Sequence, residues 1–583
     1  MSIQTFGKLS LDPAVNPAVL DTGTWNSDAV KAFCQKLPHA FFDKIVSNVG
    51  NSDTFGHITQ GEIKCYLSSI APHVSLTYGM LGFPDVQTAF ISVGKKIGKV
   101  LKDALMNIEL SDGRVVYVYP TTSENIHIYV NKIHTKKGPK ALGPIPRLGL
   151  GVRHTTTMWP GIWNAMYKGD FSANPIQNSV RELHLLDNLK SGIPSRTNHL
   201  FSIGPVKEGH TGSTFEGLWK EGVLSGLKHP RAVRFGADAD HLQVKRGNEG
   251  VERTKKFIDA SRYYTFYTLD VSDILNYRAL NTFSSSDSVS LLEECIPNAN
   301  ERRDIIWYHR QKKSLGKLYL DLDEAQIGRL IGKYWHALNA VEELSLYIES
   351  IKSGEPFDLE LSIDENPPFV RTFDTITTGE ELLFLVDEIE RRGLPVTHLA
   401  PNFGVEKATD YRGNDGLVLF ERRVELLHKI ASEKNKMLDC HSGDDLSRET
   451  RWLFQRATHG NIHFKLSPSL QTLYTQVLSD LNPEFFSFWW NDTLAFAKEN
   501  AESGAAFAKH SLSLLNRSGS LDPSPHHLFF KEYCFAMVGK RDDQGNYIHR
   551  DKFYDLPEEF YDEMTLRMEH FIMEAANDLF SLT

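Results

Sequence analysis

The sequence predicts an α/β protein: a (β/α)8 TIM-type barrel with an N-terminal α+β extension, a helical insert and a helical C-terminal region. Three observations carry this. From about residue 148 the order strand, polar turn, helix repeats, giving eight candidate strands. Between most of them lie amphipathic stretches such as "GEELLFLVDEIERRG" (379–393) and "LVLFERRVELLHKIASEKN" (417–435), with apolar residues at helical spacing and Gly or Asn at the stop. No GxGxxG follows the first strand, which argues against an open dinucleotide-binding sheet. Alternating strands and helices imply a parallel sheet buried on both faces, and eight units favour closure.

Residues 1–146 differ from this pattern. "DAVKAFCQKL" (28–37) and "DVQTAFISVGKKIGKVLKDAL" (85–105) read as helices, and "RVVYVYPTTSENIHIYVNKI" (114–133) reads as a hairpin of two antiparallel strands. "HTKKGPKALGPIPRLG" (134–149) has the Gly, Pro and Lys of a linker, and "KIHTKKGPK" (132–140) reads as a solvated loop. The eight strands are then "LGLGVRH" (148–154), "HLFSIGPV" (199–206), "AVRFGADAD" (232–240), "YYTFYTLDV" (263–271), "FDLELSID" (357–364), "PVTHLAPN" (395–402), "KMLDCHS" (436–442) and "NIHFKLS" (461–467). Spacing breaks once, at 272–356, far beyond the roughly 30 residues of one unit. That segment reads as a helical insert beside the barrel mouth. The catalytic barrel therefore runs over 147–470, and 471–583 is helical and aromatic.

Composition narrows the function. The chain has 583 residues, 41% hydrophobic and 24% charged, as in an ordinary globular protein. Its net charge of −10 and lack of a Lys/Arg stripe argue against a nucleic-acid binder. Five scattered cysteines without a CxxC pair argue for a reducing compartment. No signal-peptide pattern and no 18-residue apolar run are found, so a cytoplasmic protein without a membrane partner is expected.

Chemistry gathers at predicted strand ends, which in such barrels converge on one mouth. The third strand ends with Asp238, Asp240 and His241. The fifth carries Glu360, Asp364 and Glu365, the sixth His398, the seventh His441, and the eighth His463 and Lys465. Histidines with carboxylates and no thiolate partner suit a divalent ion, Zn²⁺ first and Mn²⁺, Co²⁺, Ni²⁺ or Fe²⁺ as alternatives. His241, His441 and His463 are the chosen ligands. Asp240 and Glu365 are then free for proton transfer. Cys440, next to His441, should turn away into packing by strand alternation. Arg181, at the start of an expected helix in "NSVRELHL" (178–185), could clamp a carboxylate or phosphate, with Ser442 and Lys465 as further substrate contacts. "SPHHLFF" (524–530) reads as a helix-start loop and "FFSFWW" (485–490) as core packing.

These residues carry a resemblance. "RFGADADHL" (234–242), "ELSIDE" (360–365), "LAPNF" (399–403), "DYRG" (410–413), "DCHSGDD" (439–445) and "HFKLS" (463–467) occur in the order of one family, and "VRELHL" (180–185) is similar to a further stretch of it. Over about 147–470 the chain resembles the bacterial tagaturonate epimerases, metal-dependent enzymes that interconvert D-tagaturonate and D-fructuronate. The resemblance implies a proton acceptor and a metal ligand in Asp240 and His241, a proton donor at Glu365, and a ligand at His441. His398 competes with His463 as the last ligand. Where the family has HSGSDK this chain has HSGDDL, so Asp444 and Leu446 replace a serine and a lysine.

The expected function is inversion at C4 of a 2-keto hexuronate by metal-assisted retro-aldol or acid/base chemistry. A metal-dependent aldolase or isomerase on a related sugar acid, and a non-catalytic carbohydrate-binding protein, are the alternatives. The expected partner is a small-molecule sugar acid, and a homo-oligomer is compatible with the sequence.

Overall fold

The computed structural model describes residues 4–6, 9–11, 18 and 26–581, except 51–53, 55, 85, 96–99, 194–196, 201–203, 208, 210, 282–283, 312, 316–317, 366–369, 407–408, 519–521, 541 and 543–545. Eight strands close into a barrel in chain order: β1 (Arg147–Gly151), β2 (Ala173–Ser179), β3 (Phe235–Gln243), β4 (Phe266–Asp270), β5 (Asp358–Ser362), β6 (His398–Ala400), β7 (Met437–Cys440) and β8 (His463–Leu466). From β3 through β8 each strand pairs parallel with the next. The fold class is as the strand–helix alternation predicts.

One strand differs from expectation. Thr197–Leu200 and Gly204–Lys207 form a separate antiparallel hairpin, and 201–203 lie outside the described residues. The second barrel strand is "ANPIQNS", which contains a proline and three amides. All seven of its residues are buried. Asn178 stays hydrogen-bonded there by donating to the Val152 carbonyl at 3.0 Å. A polar buried strand lacks the β-branched, apolar composition that marks strands in a sequence.

The described chain forms two compact units, one of 1–140, 150–237 and 467–574, the other of 141–149, 238–466 and 575–583. In the first, an antiparallel sheet runs in the order His57–Gln60, Ile63–Tyr66, Leu76–Gly82, Thr88–Gly94, Val115–Pro120, Met106–Glu109. Helices Ser27–Gln35 and His39–Ser47 pack Val30, Cys34, Phe41 and Ile45 against its Cys65, Ile91 and Val118.

Three expectations are corrected in this unit. Thr88–Gly94, expected helical, is a strand buried on both faces, so it shows no period-2 pattern. The second half of 114–133 is helical, Ser123–Ile128 and then a π-turn at Tyr129–Ile133, because Thr122 caps it by accepting from Asn125 N. "KIHTKKGPK" is not wholly solvated: Lys137 is buried and donates to the carbonyls of His229 and Pro230.

The second unit fixes the N-terminal end of its strands with charge. Arg147, at the start of β1, lies 3.1 Å from Asp358, at the start of β5, and both are buried. Asp358 also accepts from Leu142 N and Gly143 N at 2.9 and 3.0 Å, so the linker-like segment closes over the strand starts. Among its described residues, segment 272–356 is helical as expected except for one antiparallel strand pair, Lys313–Leu315 with Leu318–Leu320. Ser284, in the Ser-rich run, starts Ser285–Cys295 through a capping box, and Asp323 does the same for Glu324–Lys352. Lys333 and Tyr334 donate to Glu381, and His309 lies 2.8 Å from Glu388, which holds the insert to helix Gly379–Arg392.

The 468–580 region is helical as expected. "FFSFWW" buries Phe486, Trp489 and Trp490 in helix Pro483–Glu502, and His527 precedes helix Leu528–Tyr533. Among the described residues no helix is long and apolar enough to cross a membrane.

Removing one partner of a buried ion pair leaves the other charge unpaired. Arg147→Ala is therefore expected to cost about 3–5 kcal/mol of stability. Arg114→Ala, at a partly exposed pair, is expected to cost under about 1 kcal/mol. Urea midpoints read by tryptophan fluorescence check both.

Candidate active site

Strand alternation sets the inward residues. Along β5 the series Asp358, Glu360, Ser362 continues to Asp364. β3 contributes Asp238 and Asp240, β4 Phe266 and Thr268, β7 Asp439 and then His441, and β8 His463 and Lys465. Neighbours on a regular strand face opposite ways, so Asp240 and His241 should not share a site. A register shift between Ala239 and Leu242, with His241 at φ +44°, breaks the alternation there. This bulge lets Asp240 reach Lys465 while the His241 ring sits 4.6 Å from that of His441.

The centre of the cluster is the Lys465 ammonium, which is buried. It lies 2.8 Å from Asp240, 3.4 Å from Asp238, 3.4 Å from Asp439 and 3.5 Å from Glu360. It also donates to Thr268 Oγ1 at 3.1 Å, and Thr268 donates to Asp238. Burial opposes its charge, but these carboxylates hold its pKa well above the ordinary lysine range.

The carboxylates divide accordingly. Burial raises Asp238 to about 7 and, with the Asp439 charge, lifts Glu360 well above the usual range. Against the same burial, Lys465 and His241 hold Asp240 low, and His463 and Lys465 hold Asp439 low. Burial lowers His463 to about 4, with Asp439 opposing. Burial also opposes the charge on His441, but Asp364 and Glu360 raise it well above the ordinary histidine value.

A cation fits this donor set. One ligand atom each of Glu360, Asp439 and His441 lie within 4.8 Å of one another, all buried. Buried Glu360 Oε2 and Asp439 Oδ1 make no hydrogen bond among the described residues. Carboxylate and imidazole without thiolate suit Zn²⁺, Mn²⁺ and similar ions.

Of the expected ligands, His441 belongs to this group. His463 Nδ1 lies 2.8 Å from Asp439 Oδ2 and 3.9 Å from Glu360 Oε2. His241 faces Asp270 at 3.5 Å and Glu365 at 3.9 Å. His398 is fully buried against Phe266 and His463, with Thr397 Oγ1 at 2.8 Å. Cys440 is buried, its thiol pushed well up by burial, in keeping with packing.

Spacing along the sequence does not single out Glu360 and Asp439 as ligands. For Asp439 the available signal was its i, i+2 relation to His441, which puts both on one face of β7.

The turn after β7 holds Ser442, half-buried, and Gly443, where a Cβ would meet the Phe464 ring at 2.1 Å. Leu446 is buried. Arg181 lies in the first unit, not at a helix start but in the turn between β2 and the short strand Leu183–His184. Gly209 N donates to its carbonyl, and neighbouring Glu182 pairs with Arg153 at 2.6 Å.

Asp238 supplies a pH test. Its folded pKa of about 7 lies above the ordinary 3.8, so the folded chain retains a proton that the unfolded chain releases. Stability from this group falls as pH rises through that window, and the loss is complete above pH 7. In chelator-treated protein, Asp238→Asn is expected to gain about 2 kcal/mol over the native chain between pH 5 and pH 8. Denaturation midpoints at both pH values check this; an equal difference at both contradicts it.

The sequence model of the tagaturonate epimerase family matches residues 207–511. A curated tagaturonate/fructuronate epimerase of Thermotoga maritima is 28% identical over 310 residues, which cover 52% of this chain and 59% of the relative. The match thus spans less than two thirds of that relative's length. A fructuronate-tagaturonate epimerase of Cohnella laeviribosi, solved with one glycerol, superposes with a TM-score of 0.63 at 19% identity, covering 90% of this chain and 97% of that one. Its two-glycerol form gives 0.64 at 19% identity, over 90% and 98%. The fold is that of these structures. The family match extends over half of the chain, and the protein belongs to the tagaturonate epimerase family.

Proposed function

We propose that the chain is a divalent-metal-dependent sugar-acid epimerase that interconverts D-tagaturonate and D-fructuronate. The observation that carries this is the buried group of Asp240, Glu360, Asp439, His441 and Lys465 at the C-terminal ends of barrel strands, in a member of this family. The relatives' names supply the substrate pair.

The two acids differ at C4, which is β to the C2 ketone, so its hydrogen is not acidic. Inversion without oxidation then requires cleavage of C3–C4. Asp240, kept ionised by Lys465, takes the C4 hydroxyl proton. The C3–C4 electrons move to the ketone, leaving an enediolate and an aldehyde at C4. The aldehyde turns, C3 adds to its other face, and the proton returns from Asp240 to the C4 oxygen.

His441, Glu360 and Asp439 would hold the metal, with His241 and His463 as further imidazoles of the cluster. A divalent ion there supplies Lewis-acid stabilisation of the charge on the ketone oxygen. Glu365 is proposed as the acid that protonates the C2 oxygen of the enediolate and takes that proton back before C3 adds again. Lys465 is already shared among four carboxylates, so the substrate contact proposed for it is with hydroxyl oxygen, alongside Ser442.

The test is incubation of metal-loaded protein with D-tagaturonate, D-fructuronate and the neutral ketohexoses, with products resolved by NMR. Interconversion of the two acids, lost with chelator and without solvent deuterium at C4, is expected. Products of different carbon count would reassign the chain as an aldolase, an aldose product as an isomerase, and no turnover as a binding protein. Deuterium at C4 would exclude the retro-aldol path. Asp240→Asn is expected to lower kcat by about 10²–10⁴-fold.

A further inference from the structure

The imidazole of His441 has two distinct environments. Its Nε2 faces the cluster, 2.5 Å from Glu360 Oε1 and 3.5 Å from Asp439 Oδ2. Its Nδ1 faces away from that pair, 3.1 Å from Asp364 Oδ1. Asp364 is itself held, accepting from Ser362 Oγ at 2.9 Å, and Ser362 is buried on β5. One strand thus supplies the whole series. With period-2 alternation, "ELSID" sends Glu360, Ser362 and Asp364 to the same face at successive heights.

A neutral imidazole carries one N–H and one lone pair. Which nitrogen carries the proton is set by the partner that accepts it. Asp364 stands at ion-pair distance from Nδ1 without making a hydrogen bond to it, and a carboxylate there favours the proton on Nδ1 and the lone pair on Nε2, toward Glu360 and Asp439. Outer carboxylates of this kind also fix the ring plane and raise ligand basicity.

Resting on the proposed reading of Glu360, Asp439 and His441 as a metal centre, we propose that Asp364, oriented by Ser362, is a positioning residue. It sets the tautomer and aim of His441 and thereby the ion affinity, while contacting neither ion nor substrate. Asp364 is separate from the residues assigned to ion binding and proton transfer.

The experiment is a Zn²⁺ competition with a chromophoric chelator on the full chain, together with melting of the metal-free protein. Native protein is expected to bind one ion per chain and His441→Ala to lose it. Asp364→Asn and Asp364→Ala are expected to bind about 10–100-fold more weakly, and Ser362→Ala to weaken binding to a smaller degree. Asp364→Asn also removes a partner of His441 and lowers the metal-free melting midpoint, so affinities are compared well below both midpoints; weaker binding with the stoichiometry kept at one ion per chain is expected, which a merely structural role would not give. If Asp364→Ala unfolds, the near-isosteric Asp364→Asn decides. Native affinity in Asp364→Asn, with binding lost in His441→Ala, overturns the inference alone. No ion bound by native protein overturns the metal-centre reading beneath it.

Discussion

The second unit depends on one ammonium group. Lys465 holds Asp238, Asp240, Glu360 and Asp439 within 3.5 Å of its Nζ, all in the barrel interior. Four ionised carboxylates could not be buried so close together around a single positive charge, because like charges in a poorly solvated space repel strongly. The chain meets this by keeping protons on Glu360 and, near neutrality, partly on Asp238, and by charging His441. Protons held on buried carboxylates are what a divalent ion can displace. The same electrostatics that stabilise the metal-free cluster therefore define the proposed ion site.

The rest of the unit keeps these groups in place. The Arg147–Asp358 pair and the turn at Leu142–Gly143 fix the strand starts, so heights along β1 and β5 are set from below. From that reference, each two-residue step raises an inward side chain by roughly 6–7 Å. Asp358, Glu360, Ser362 and Asp364 thereby span the barrel from base to mouth. The bulge at Asp240–His241 departs from alternation, and it lets a proposed base and a proposed ligand share the site.

Much of this was legible in the sequence, for identifiable reasons. The repeated order of short strand, polar turn and amphipathic helix is written in the sequence, and it marks seven of the eight strands even where they carry charged inward residues. The exception, "ANPIQNS", is buried yet polar, and only tertiary hydrogen bonding makes it a strand. The antiparallel Thr88–Gly94 was missed because a central strand covered on both faces loses its period-2 signature. At the site, histidines at strand ends marked the place, and the structure puts His441, His463 and Lys465 there together. The roles of Glu360 and Asp439 depend on which strands are neighbours, and spacing within one strand does not carry that information. The same is true of Lys465, whose partners come from four other strands.

The central claim is that ion binding and the proton content of this cluster are one equilibrium. Calorimetric titration of chelator-treated protein with Mn²⁺ at pH 7, repeated in buffers of different ionisation enthalpy, measures protons released per ion bound. The account predicts one ion per chain with release of at least one proton, and loss of both in Glu360→Gln. Binding with no proton release, or release unchanged in Glu360→Gln, would contradict it.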